Sequence, residues 1–77
     1  MPVEITDLDQ MRTAYKTAVD HWIAAIREEE ALAFVNHSEA EIDAWEAAGF
    51  REEAARDRAK EAKAAYEAAL REKFFNF

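Results

Sequence analysis

One glycine and one proline in seventy-seven residues leave this chain almost no means of turning. Sheets need closely spaced turns, and turns draw on Gly, Pro and short polar clusters, so a strand-rich fold is excluded at the outset. Eighteen alanines, seventeen acids and ten bases fill the remainder with strong helix formers. Half of the residues are apolar, which is enough to drive folding. The expectation is a single all-α domain over residues 1–77.

A chain this short buries only about 60% of the surface its unfolded form exposes. Small domains make up the shortfall with disulfides, a metal or self-association. The sequence has no cysteine, which removes disulfides and also any reading of redox compartment. Two histidines, neither in a Glu-x-x-His nor a His-x-x-x-His spacing, make a poor zinc or di-metal set. Self-association therefore heads the expectations, with a metal-binding bundle built from His21 and carboxylates as the weakest alternative.

The periodicity predicts two helices. The first starts near Thr6 or Asp7, where either side chain can cap. At ~100° per residue, Leu8, Met11, Tyr15, Ala18, Val19, Trp22, Ile23, Ile26 and Ala33 fall on one wide apolar half. It runs out near Phe34 or Val35. Asn36, His37 and Ser38 form the turn, and Ser38 with Glu41 matches a Ser-x-x-Glu capping box that opens a second helix at Glu39.

The second stripe reads Ile42, Trp45, Ala48, Ala55, Ala59, Ala62, Tyr66, Ala69, Leu70 and Phe74. An antiparallel hairpin with a short loop pairs residues whose numbers sum to about 74. Trp22 then meets Arg51 and Glu52, Tyr15 meets Ala59, and Leu8 meets Tyr66. Large side chains oppose small ones, as dense packing requires. The expected fold is a two-helix hairpin, about 7–35 and 39–75, dimerising as a four-helix bundle. Gly49 opens the alternative: as a helix-ending residue it would give a three-helix monomer.

Charge is distributed unevenly along the chain. Residues 1–50 hold eleven acids and three bases, giving −8, while residues 51–77 hold six and seven, giving +1. A half of that sign repels phosphate, which argues against nucleic acid as a ligand. From Glu28 to Phe50 there are seven carboxylates and no Lys or Arg, interspersed with aromatic residues. Glu28, Glu29, Glu30, Phe34, Glu41, Trp45, Glu46 and Phe50 are the candidate protein-binding residues, for a partner with a basic surface. Phe50, Ala54, Phe75 and Phe77 are the candidate dimer contacts. The closing Phe74-Phe75-Asn76-Phe77 reads either as a cap on the core or as a docking peptide.

No nucleophile elbow, Gly-rich phosphate loop or Cys–His pair is present, and the single serine is required as a cap. No catalytic residue or cofactor is expected. The acidic start shows no basic region followed by an apolar one, and no apolar run reaches membrane-spanning length, so a cytoplasmic protein without membrane contact is expected. The leading functional expectation is a small non-enzymatic protein-interaction module. An acidic inhibitor imitating nucleic-acid charge, such as a phage-borne antagonist of a host enzyme, is the rival.

Overall fold

The computed structural model describes residues 4–33 and 38–75. They form two helices, α1 (Ile5–Ala31) and α2 (Glu39–Phe75), which pack against each other as an antiparallel hairpin. No strand occurs among the described residues.

Helix α1 begins two residues earlier than the capping residues suggest. Glu4 takes an extended conformation, and its backbone N–H donates to Asp7 Oδ2 at 3.2 Å, a carboxylate placed in the first turn. The helix also stops earlier, at Ala31 rather than near Val35. Its last turn tightens, with Leu32 N–H donating to the Glu29 carbonyl and Ala33 N–H to the Glu30 carbonyl. Glu28, Glu29 and Glu30 crowd negative charge onto the negative end of the helix dipole, and the last turn has no base to offset them.

The start of α2 lies where the Ser38–Glu41 pair indicates. Glu41 N–H donates to Ser38 Oγ at 3.3 Å, and the Ser38 hydroxyl donates to Glu41 Oε1 at 3.0 Å. The glutamate thus meets the serine hydroxyl, whereas a reciprocal box would have it receive the backbone donor. From there α2 continues unbroken for 37 residues, through Gly49, so the three-helix alternative is set aside.

The register is the expected one. Trp22 Nε1–H donates to Glu52 Oε1 at 2.7 Å across the helices, and Tyr15 and Ala59 line one shared groove. Nearer the loop, Arg51 pairs with Glu28, and a Cβ added to Gly49 would lie 3.7 Å from Glu29 Oε1. The buried core among the described residues is Leu8, Ala48, Ala55, Ala59 and Ala69. Alanines on α2 let the helices approach, and the bulk of α1 fills the seam from its side.

The result is a rod of 55 × 17 × 15 Å. Its radius of gyration is 17.3 Å, against about 12 Å for a compact domain of this length. Two helices can cover only one flank of each other. Ile5, Ile23, Ile26, Ile42, Trp45, Phe50, Phe74 and Phe75 accordingly remain 40–71% exposed. The second-helix stripe is therefore buried at Ala48, Ala55, Ala59 and Ala69 and half-buried at Ala62, whereas its large members Ile42, Trp45 and Phe74 stay exposed.

Candidate functional site

The seven-carboxylate stretch gathers at the loop end of the rod, since it occupies the last turn of α1 and the first three turns of α2. Its members are not equivalent. Glu28 is held by Arg51, the only cation brought across the seam to it in the described residues. Glu29 is half-buried against Gly49. Glu41 is committed to Ser38. These three help close the hairpin end. Glu30 and Glu46 are exposed and take part in none of the ion pairs found among the described residues.

Among the aromatic candidates, Phe50 is 71% exposed and Trp45 is 41% exposed. Ala54 and Phe75 are exposed as well. Phe34 and Phe77 lie outside the described residues.

The outer side of α2 shows a pattern that the candidate residues only sampled. Glu39, Asp43, Glu46, Phe50, Glu53 and Asp57 are all exposed. Their spacings alternate between four and three, which places them along one face of a helix. A ridge about 27 Å long results, at 1.5 Å per residue, with five carboxylates and one exposed phenyl ring. The spacing was available in the sequence. Glu39, Asp43, Glu53 and Asp57 share that face by their spacing, a signal that the density of acids between Glu28 and Phe50 obscures.

A second feature lies midway along the rod. Tyr15, Val19 and Trp22 of α1 and Ala59, Lys60 and Lys63 of α2 line a groove of about 230 Å³. Below it, Glu52 receives the indole N–H of Trp22 and sits 3.7 Å from the Arg56 guanidinium. Arg56 Nε is buried without a hydrogen-bond partner. Lys63 is 3.8 Å from Glu67 on its own helix, while Lys60 has no ion pair among the described residues. Tyr15 meets Ala59 as the pairing of large with small side chains predicts, and the small alanine leaves an open groove with two lysines at its rim, which the pairing alone does not reveal.

Among the described residues, no three His, Asp or Glu side chains are placed to hold a metal ion. No described helix is long and apolar enough to cross a membrane. No protein-family profile matches the chain, and neither a curated protein nor a solved structure matches it.

Proposed function

We propose that this chain is a non-enzymatic helical interaction module that self-associates through its apolar surface and offers an acidic ridge to a basic protein partner. The observation that carries the reading is the exposed face of α2, where Phe50 stands 71% exposed between Glu46 and Glu53. An apolar ring set among carboxylates matches a partner with a hydrophobic notch bordered by Lys or Arg. The ring contributes affinity by leaving water, and the charges contribute orientation and association rate.

Self-association follows from the small core. One leucine and four alanines are the buried residues among those described, while several isoleucines and phenylalanines stay in water. Pairing two hairpins into a four-helix bundle would cover such side chains.

The test uses the full chain as bait, with Phe50→Ala and Glu46→Lys/Glu53→Lys variants beside it. A partner captured by the wild type is purified and titrated by calorimetry against all three. The reading requires at least about a tenfold loss with Phe50→Ala, as expected for a desolvated anchor, and a similar loss with the charge reversals. Unchanged affinity in both would overturn the ridge as the contact. Affinity that collapses with salt yet ignores Phe50→Ala would favour the charge mimic of nucleic acid instead.

A further inference from the structure

The exposed apolar side chains are not scattered around the rod. Counting ~100° per residue from the seam, Ile5, Val19, Ile23 and Ile26 lie on one flank of α1. Ile42, Lys60, Lys63 and Phe74 lie on the matching flank of α2. Trp45 falls on that flank too. The groove joins the two flanks, because Val19 of α1 and Lys60 and Lys63 of α2 line it together. The hairpin thus has one face, made by both helices, with large apolar side chains towards its two ends and Arg12, Lys16, Lys60 and Lys63 between them. Phe50, Ala54 and Phe75 lie around the other side of α2.

Five side chains on this face (Ile5, Ile23, Ile26, Ile42 and Phe74) are 40–61% exposed. Together they present on the order of 400–500 Å² of apolar surface, within the range of the largest patch a monomer leaves uncovered. A standard stable interface buries roughly 800 Å² per partner, of which a little over half is apolar, so an area of this order matches the apolar share.

Charge decides the orientation. The stretch from Glu28 to Glu46 at the loop end carries seven carboxylates and no base of its own, with Arg51 reaching Glu28 alone among them. The groove half of the same face carries Arg12, Lys16, Arg56, Lys60 and Lys63, of which Arg56 faces Glu52 at 3.7 Å and Lys63 faces Glu67 at 3.8 Å, leaving Arg12, Lys16 and Lys60 outside the ion pairs found among the described residues. Two copies stacked in parallel would superpose their seven-carboxylate ends. Two copies stacked antiparallel would set each acidic end beside the other copy's basic stretch, and like-charge contact is the costlier arrangement by far.

We infer that this face is the self-association surface, and that a second copy of the chain covers it with the two rods antiparallel about a two-fold axis. In that arrangement Ile23 and Ile26 of each copy lie over the Tyr15–Trp22–Ala59 groove of the other. Lys60 and Lys63 border the entering side chains and reach towards Glu30 of the second copy. The inference rests on the self-association proposed above and adds to it the face, the orientation and the role of the groove.

Sedimentation equilibrium on the full chain, with helical content followed by circular dichroism, separates the outcomes. The wild type is expected to be a dimer at micromolar concentration. Ile23→Glu/Ile26→Glu is expected to lose the dimer, and Phe50→Glu to retain it. A monomeric wild type would overturn self-association itself. A dimeric wild type that survives Ile23→Glu/Ile26→Glu but not Phe50→Glu would leave self-association standing and overturn this face.

Orientation is read without disturbing the face. The chain has no cysteine, so Ala40→Cys, exposed near the start of α2, accepts a single spin label. With Ile23 and Ile26 over the other copy's groove, antiparallel copies place the two labels about 40 Å apart at 1.5 Å per residue. A separation under about 20 Å, two helix diameters, would mean parallel copies and overturn the arrangement. This second measurement holds even where the double substitution unfolds the chain.

Discussion

Two positions show how single residues set the hairpin's stability. Gly49 sits inside α2, where glycine costs about 1 kcal/mol relative to alanine. A methyl group there would meet only Glu29 Oε1, at 3.7 Å, an ordinary contact with the end of a flexible side chain. Gly49→Ala is therefore expected to stabilise the fold, raising Tm by roughly 4–8 °C for a domain of this size, as read by thermal circular dichroism. A fall in Tm would mean that α2 needs a bend at this point. Trp22 is the reverse case. Its indole N–H meets a Glu52 carboxylate whose side chain is only 16% exposed. Trp22→Phe keeps a ring in the seam but leaves that charge without its cross-helix donor, at a cost of about 1.5–3 kcal/mol for a hydrogen bond to an ionised group. Urea unfolding measures it. No change would show that Arg56 or water satisfies Glu52 alone.

At the scale of the elements, the two helices end differently because their charges differ. Helix α2 starts with Glu39 and Glu41 and finishes with Lys73, in agreement with its dipole. Helix α1 finishes on three glutamates with no base in its last turn, and Arg51, reaching across from α2, supplies the nearest relief. That pair is exposed on both sides, so its contribution stays within about 1 kcal/mol. Ala31→Lys would place a cation at the exposed end of α1. It is expected to add about 0.3–1 kcal/mol, more at low salt than at high. Denaturant titrations at two ionic strengths check both the gain and its screening. At the other end of the loop, Ser38→Ala removes the hydroxyl that accepts Glu41 N–H. A loss of about 1 kcal/mol is expected, visible as a lower urea midpoint with an unchanged slope.

The whole molecule is a thin rod whose two long sides differ. One face, built from both helices, carries most of the exposed isoleucines and a groove at its middle rimmed by Lys60 and Lys63. The outer side of α2 is an acidic ridge with a phenyl ring set in it. In the proposed function, separating the surfaces leaves the acidic ridge open to a basic partner while the other face meets a second copy. Small-angle scattering tests the twin contact at this scale. Side-by-side antiparallel stacking at the usual 8–10 Å helix spacing doubles the mass while raising the radius of gyration from 17.3 Å by only about 1 Å. An end-to-end dimer would raise it far more.

Much of this was written locally in the chain. The absence of glycine and proline dictates helices, because an alanine-rich backbone without turn residues has no other regular state. The Ser38–Glu41 pair marks the start of α2 because a cap is a contact three residues long. The Tyr15–Ala59 register follows from matching large side chains with small ones across a short loop. The sequence was less informative wherever the outcome depended on what lay beside a residue in space. That α1 stops at Ala31 reflects charges accumulated at a helix end, which apolar periodicity does not register. The division of the acidic run into hairpin-closing Glu28, Glu29 and Glu41 and outward-facing Glu46 was settled by where Arg51, Gly49 and Ser38 came to lie. Periodicity placed Ile42, Trp45 and Phe74 on the seam stripe. It could not tell that one partner helix, covering a single flank, would leave them in water, because burial is a property of the packed pair and not of either helix alone.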